Sequence, residues 1–214
     1  MEKFTGIIFD IDGTLTSTNE LIFASFNYIA EKYLHKQFTD EEISAMFGPT
    51  EDVILKQWCP DNYEEARKDY YNFYEQNHSM AALYPGIIEI LDILKKRKVL
   101  ISIYTGKGRE ASIITLKKLR IYDYFDLIIT GDEVKEHKPS PEGITLFLEK
   151  FNLPKDKVLM VGDAPADHKA SRAAGVKVAS VIWDAYAKKA VIKLSPDYLF
   201  NSVIELKEFL QKMV

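Results

Sequence analysis

The scarcities of this sequence narrow it first. It holds a single cysteine, Cys59. One thiol cannot close an internal disulfide, and a lone thiol suits a reducing compartment. Its neighbours Gln57, Trp58 and Pro60 read as a helix end. That assigns Cys59 to structure, because a reactive thiol needs an activating environment. Positive charge is not in excess: 28 Lys and Arg against 32 Asp and Glu leave a net charge of −4. No broad basic field is available for a nucleic-acid backbone, so no nucleic-acid partner is expected. No apolar stretch approaches the length of a membrane span. The opening Met1-Glu2-Lys3-Phe4-Thr5 has neither a long apolar segment nor a small-residue cleavage site,. The expectation is a soluble cytoplasmic protein with no membrane partner, a monomer or weak homodimer. Repeats and low-complexity segments are absent.

What is present fits an ordinary globular chain, with 47% hydrophobic residues,. A length of 214 residues suits one main domain with a modest insertion,. Gly6-Ile7-Ile8-Phe9 is a short apolar run that reads as a buried strand ending at Asp10,. Residues 20–35 carry helical periodicity. Thr39-Asp40-Glu41-Glu42 resembles a capped helix start,. Gly48-Pro49-Thr50 breaks that helix, and another begins near Glu51. Asp61 or Asn62 can cap a longer helix reaching residue 78, whose aromatics Tyr63, Tyr70, Tyr71, Phe73 and Tyr74 fall at packing intervals rather than as a base-stacking platform,.

From Pro85 the pattern changes. Helices over about 85–97, 109–119, 141–151 and 166–174 each precede a strand, over 99–104, 126–129, 158–161 and 176–182. A short edge strand over 198–200 and a closing helix over 203–209 follow. Strands nearly continuous in Val, Ile and Leu, alternating with helices, predict an α/β fold with a parallel sheet covered on both faces. Residues 1–16 and 81–214 form the core in this reading, and residues 17–80 form an all-helical insertion. Leaving from the carboxyl end of a strand, the insertion overhangs the edge where open α/β sheets bind ligands.

Four segments at that edge carry the chemistry. In Asp10-Ile11-Asp12-Gly13-Thr14, carboxylates at i and i+2 can face one mouth, and two anions so close need a cation or a shared proton,. Magnesium, with its preference for oxygen ligands and few carboxylates, suits the pair. Thr105-Gly106-Lys107-Gly108-Arg109 places a hydroxyl, flexible glycines and a helix N-terminus after a strand, as a phosphate cradle would,. His137-Lys138-Pro139-Ser140-Pro141 fixes an ammonium in a proline-flanked loop,. Gly162-Asp163-Ala164-Pro165-Ala166-Asp167 sets two carboxylates four residues apart where a strand becomes a helix. A single aspartate at a strand end is usually a cap or turn residue. Four such segments in this order, each beside a strand, are not explained that way.

Together these segments resemble the haloacid dehalogenase superfamily of phosphatases over nearly the whole chain. Asp10-Ile11-Asp12-Gly13-Thr14 is similar to that family's first motif, Thr105 to the second, Lys138 to the third, and Gly162-Asp163 with Asp167 to the fourth. The insertion resembles its small helical cap. The resemblance implies a Rossmann-like sheet whose first strand lies between the strands bearing the second and fourth motifs. It implies Asp10 as nucleophile and Asp12 as acid and then base. Mg²⁺ would be held by Asp10, the Asp12 backbone carbonyl and Asp163, with Asp167 behind them. Thr105, Gly106 and Lys138 would hold the phosphoryl oxygens. The Gly48-Pro49-Thr50 loop would touch the leaving group of a small phosphorylated metabolite. Asp12 speaks against dehalogenation, which needs no leaving-oxygen protonation. A phosphonate hydrolase would need an imine-forming cap lysine, and Lys32, Lys36 and Lys56 read as solvated helix positions.

Ser17-Thr18-Asn19-Glu20-Leu21-Ile22, Phe47-Gly48-Pro49-Thr50 and Ser195-Pro196-Asp197-Tyr198-Leu199 with Glu205-Leu206 are similar to phosphoglycolate phosphatases and related bacterial pyrophosphatases. Gly106 and Asp184 depart from the Asn and Gly that many relatives carry there. A sugar phosphomutase would need a histidine on the first cap helix, where Leu21, Ile22, Phe23 and Ala24 stand. His35 lies beyond, at an exposed helix end. A catalytically inactive phosphate binder is disfavoured by the complete set of acidic residues.

Overall fold

The computed structural model describes residues 3–183 and 188–214, so Asp184 lies outside the described residues. Six parallel strands form the main sheet: β1 (Gly6–Phe9), β4 (Leu100–Tyr104), β5 (Leu127–Ile129), β6 (Val158–Gly162), β7 (Lys177–Val181) and β8 (Tyr198–Phe200). Their order is β5-β4-β1-β6-β7-β8, with β1 between the strands that bear the second and fourth motifs, as expected. Phe9 stands level with Ile103 on one side and Val161 on the other, so all three strands end at one edge.

The pleat divides the core. Ile7 and Phe9 join Ile101, Ile103, Leu159 and Val161 on one face, under α5 (Ile87–Lys96) and the closing helix (Val203–Met213). Ile8 turns to the other face with Val158 and Met160, under α7 (Glu142–Phe151) and α8 (Pro165–Ala174). Apolar residues on both sides of every central strand account for the unbroken Val/Ile/Leu runs.

A second layer of helices lies between β1 and α5: α1 (Asn19–Ile29), α2 (Asp40–Ser44), α3 (Glu51–Trp58) and α4 (Tyr63–Gln76). It has its own core of Leu21, Phe26, Ile43, Leu55, Tyr70 and Tyr74, joined by Ala111 from α6 (Arg109–Lys118). Tyr70, Tyr71 and Tyr74 are buried in that packing, and Cys59 is buried at the end of α3 with its thiol pushed up by burial. The capping box at Thr39 is formed: Glu42 N–H donates to Thr39 Oγ1 at 3.2 Å, and Thr39 N–H donates to Glu42 Oε2 at 2.8 Å.

Three features differ from the sequence reading. The first long helix becomes a π-helical turn over Ala30–Leu34 and stops at His35, which is left-handed at φ 52°. The Asn27 side chain there both donates to Phe38 O and accepts from Phe38 N–H, holding the following loop against α1. Asn62 precedes α4 without a side-chain cap bond, because Pro60–Asn62 forms a separate 3₁₀ turn. Two strands of two residues, β2 (Thr16–Ser17) and β3 (Ala82–Leu83), pair antiparallel where the helical layer leaves and rejoins the sheet domain. Among the described residues, no helix is long and apolar enough to cross a membrane.

Candidate active site

Asp10 continues the β1 ladder by one residue, its N–H donating to Val161 O at 3.0 Å. The chain then turns sharply, and the carboxylate is left at the sheet edge, 7% exposed. Lys138 reaches it from the loop after β5. Its Nζ lies 2.7 Å from Asp10 Oδ1 and 2.6 Å from Asp167 Oδ1, and donates to Tyr104 O at 3.2 Å. A buried ammonium needs such partners. Burial works against the charge of Lys138, but Asp10 and Asp167 outweigh it and hold the ammonium well above its ordinary value. Burial also pushes Asp10 up to about 7. Lys138 opposes that shift, while Asp167 and Asp12 add to it.

The fourth motif faces the first. Asp163 follows β6 and accepts from Thr14 Oγ1 at 3.1 Å. Its carboxyl is held well above the usual range by burial and then by Asp10 and Asp167, with Thr14 and Lys138 opposing. Asp167 is 1% exposed and accepts from Ala164 N–H at 3.0 Å, so its second oxygen is also engaged. Gly13 makes the approach possible. It has φ 78°, and a Cβ there would stand 2.4 Å from Asp163 Oδ2.

One oxygen from each of Asp10, Asp163 and Asp167 lies within 4.8 Å of the others. Lys138 balances one of these three carboxylates. Burial and mutual repulsion push the Asp10 and Asp163 carboxyls upward, so a further cation beside them would relieve that repulsion. An all-oxygen donor set with excess negative charge fits a hard dication such as Mg²⁺.

Asp12 points to a different set. Its Oδ1 accepts a short hydrogen bond from Thr18 Oγ1, and its Oδ2 lies 3.3 Å from Lys107 Nζ. Lys107 also lies 3.5 Å from Glu51 Oε1 and 5.2 Å from the centre of the Tyr74 ring. Glu51 Oε2 accepts from Gly108 N–H at 2.8 Å. Asp12, Lys107 and Glu51 border a cavity of about 540 Å³. Asp10, Asp12, Thr105, Gly106, Lys138 and Asp163 form its floor. Ile22, Phe26, Phe47, Gly48, Pro49 and Ile54 form its roof, and His137 and Lys169 stand among the remaining lining residues.

The core residues expected from the motifs thus converge on one cavity, with Asp167 directly behind it. Thr50 does not line it. Thr50 is 3% exposed and packs over the loop glycines: a Cβ on Gly131 would lie 2.8 Å from its methyl group. Pointing inward from the start of α3 leaves the cavity to Pro49 and Glu51 on either side. The helix N-terminus after Thr105 also departs from the expected phosphate cradle. Gly108 N–H is taken by Glu51, and Arg109 N–H donates to both Asp132 oxygens at 3.1 Å. Gly106 remains open, since a Cβ there would meet nothing within 4 Å. Lys32, Lys36 and Lys56 are exposed and do not line the cavity, so none is placed to form an imine there.

Lys107, Glu51 and Thr18 are the functional candidates that motif reasoning missed. Lys107 sits within the quoted second motif, but nothing in a one-dimensional pattern ties it to Asp12. Glu51 reads in sequence as an ordinary acidic residue in a first helical turn.

Residues 7–181 match the haloacid dehalogenase-like hydrolase family. Pyrophosphatase PpaX of Bacillus pumilus is 33% identical over 201 residues, covering 94% of this chain and 93% of that protein. Pyrophosphatase PpaX of Bacillus velezensis is 32% identical over 206 residues, covering 96% and 95%. The crystal structure of a predicted phosphoglycolate phosphatase from Haemophilus somnus superposes with a TM-score of 0.86 at 24% identity, covering 99% of this chain and 100% of that one. CbbY from Rhodobacter sphaeroides, in complex with phosphate, gives 0.81 at 21% identity, covering 95% and 96%. Fold, motif placement and relatives agree, and the chain belongs to the haloacid dehalogenase-like hydrolase family.

Proposed function

We propose that this hydrolase is a Mg²⁺-dependent phosphatase that cleaves a small phosphorylated metabolite through an aspartyl-phosphate on Asp10. The observation that carries this reading is the floor of the cavity, where Lys138 bridges Asp10 and Asp167 beside Asp163. Such a floor pairs a buried carboxylate nucleophile with fixed positive charge, and positioning with charge neutralisation is most of what phosphoryl transfer requires.

In the first step an Asp10 carboxylate oxygen bonds to phosphorus and the bond to the leaving oxygen breaks. Asp12 delivers its proton to that oxygen. In the second step Asp12 takes a proton from water, whose oxygen attacks phosphorus. Inorganic phosphate leaves and the Asp10 carboxylate is restored. Lys138, Thr105 and Gly106 hold the phosphoryl oxygens. Asp10, Asp163 and the Asp12 carbonyl would hold Mg²⁺, with Asp167 orienting Lys138 from behind. Bound Mg²⁺ supplies charge neutralisation for the transferring group. Residues 17–80 act as a cap that excludes water while the acyl phosphate exists. A cytoplasmic protein, monomeric or weakly dimeric, fits the composition.

Phosphoglycolate is the ester we favour, from the likeness of the cap segments to that branch. Pyrophosphate is the second reading, favoured by the Bacillus relatives, which are named pyrophosphatases. The test is phosphate release with Mg²⁺ across phosphoglycolate, pyrophosphate, hexose phosphates and nucleotides. Preference for phosphoglycolate supports the first reading and preference for pyrophosphate the second. Release from none of them, nor from p-nitrophenyl phosphate, would remove phosphatase activity altogether.

A further inference from the structure

Lys107 has no part in the mechanism above, yet it is among the most buried charges of the chain, with its side chain 2% exposed. Burying an ammonium is costly unless it is paired, and removing one partner leaves an uncompensated charge. Its two carboxylates come from opposite sides of the cavity. Asp12 belongs to the loop after β1, and Glu51 to the first turn of α3 in the helical layer. Glu51, 6% exposed, is itself anchored to the sheet domain through Gly108 N–H, and the Tyr74 ring closes a third side of the ammonium. The helical layer therefore reaches the acid-base residue in two ways, directly through Thr18 at the start of α1 and from α3 through one buried lysine.

We infer that Lys107, held in place by Glu51, is a positioning residue that fixes the Asp12 carboxyl for proton transfer to the leaving group. The inference rests on the phosphatase reading and on the role of Asp12 within it. Asp12 is the most exposed member of the ion-pair set, at 22%, and lines the open cavity, so nothing packs it in place from that side. Two contacts restrain it, Thr18 on one oxygen and Lys107 on the other. Lys107 in turn keeps both carboxylates only while α3 lies against the second-motif loop. If the helical layer lifts, Glu51 withdraws, Lys107 loses one of its two carboxylates, and the Asp12 carboxyl loses a rigid neighbour. Proton delivery is thereby linked to the closed arrangement without Glu51 or Lys107 touching the reacting atoms.

This role has a signature that simple loss of packing lacks. General acid assistance matters for esters of poorly leaving alcohols and hardly at all for a strongly activated aryl ester. We compare kcat/KM for an n-alkyl phosphate and 2,4-dinitrophenyl phosphate in the full chain with Mg²⁺, for wild type, Asp12→Asn, Lys107→Met and Glu51→Gln. Glu51→Gln keeps an oxygen for Gly108 N–H and so serves if Lys107→Met fails to fold. Asp12→Asn sets the scale, with a loss on the order of 100-fold for the alkyl ester and little for the aryl ester. Lys107→Met and Glu51→Gln are expected to lower the alkyl-to-aryl ratio in the same direction, chiefly through kcat. The double variant should be no worse than Lys107→Met alone, because the two act as one unit. Equal losses for both esters, or an unchanged ratio, would overturn the inference while leaving the phosphatase reading intact. A rise in alkyl turnover would also overturn it, by making Lys107 a restraint. If Asp12→Asn itself leaves the ratio unchanged, the assigned role of Asp12 fails and this inference with it.

Discussion

Asp10 is confined by its neighbours to a narrow chemical role. Its backbone extends the central strand, its carboxylate is buried, and Lys138 holds one oxygen. Asp10→Asn keeps the shape and removes the proposed nucleophile. Lys138 would keep Asp167 and the Tyr104 carbonyl, so the fold should survive. The expected outcome is turnover reduced at least about 10³-fold with an unchanged circular dichroism spectrum, as for loss of a covalent nucleophile. Ordinary turnover, with deamidation excluded by mass, would rule out the aspartyl-phosphate. The same residue makes stability depend on pH. Its carboxyl, raised from 3.8 to about 7, binds its proton more tightly folded than unfolded. Between these values the folded state holds more protons, so this group's contribution falls as pH rises through the window. Asp163 is shifted the same way. A dication competes with those protons. The rise in Tm on adding Mg²⁺ should therefore grow between pH 5 and pH 8. A Tm increment independent of pH would separate metal binding from Asp10 and Asp163. At this scale the motif aspartates, Thr105 and Lys138 were legible because strand-end placement sends them to one edge. Lys107 was not, since its partners Asp12 and Glu51 are 95 and 56 positions away in sequence.

Elements decide which of the expected residues face the cavity. The alternation of apolar strands and helices disclosed the sheet, because burial on both faces demands it. The two-residue strands β2 and β3 were invisible, as so short a run has no period to read,. The start of α3 shows a subtler limit. Gly48-Pro49-Thr50 was legible as a break, but a helix turns about 100° per residue, so adjacent positions face different ways. Pro49 and Glu51 line the cavity while Thr50 is buried against the loops at Gly108 and Gly131. The loop therefore divides experimentally. Pro49→Ala should change the ratio of kcat/KM between phosphoglycolate and p-nitrophenyl phosphate with little change in Tm. Thr50→Ala should lower stability by about 1 kcal/mol, as for a buried methyl group with a small cavity, and leave that ratio alone. The opposite pattern would mean that Thr50 reads the substrate. The turn at Gly13 allows a further prediction. Gly13→Ala would add about 1–2 kcal/mol of left-handed strain. It would also push on Asp163, whose oxygen stands 2.4 Å from the new Cβ. A higher Mg²⁺ concentration for half-maximal activity is expected, measured by titration. An unchanged requirement would place Asp163 outside the metal site.

At the scale of the whole molecule, the helical layer is held to the sheet domain by more than its β2/β3 stem. Along one flank α4 leans on α6. Tyr74 Oη lies 2.8 Å from Thr115 Oγ1, with His78 Nε2 3.2 Å from the same oxygen. Arg67 pairs with Glu110 at 2.5 Å, and Lys118 with Glu75 at 3.1 Å. Ala111 of α6 belongs to the core of the helical layer. No sequence pattern announces such a seam, because it exists only once both domains are folded. At the cavity mouth, beside the N-terminus of α6, the layer meets the sheet domain through the loop over 45–50 and the start of α3, where Asp52 is held by Arg67 at 3.1 Å. Phe47 is 46% exposed beside Gly48 and Pro49, and Glu51 supplies the ion pair and the single hydrogen bond to Gly108. Opening that breaks buried hydrogen bonds is more costly than opening that exposes a loop. Any opening of the cavity should therefore pivot on the α4–α6 seam and swing the loop over 45–50 with the start of α3. Hydrogen exchange with and without Mg²⁺ and a fluoride-metal phosphate mimic reads this directly. Protection on binding should appear at 45–52 and 105–109, while amides of α4 and α6 along the seam stay slow in both states. Strong new protection across the seam, with none at the loop, would show that the layer pivots the other way and that α4, not α3, closes the site.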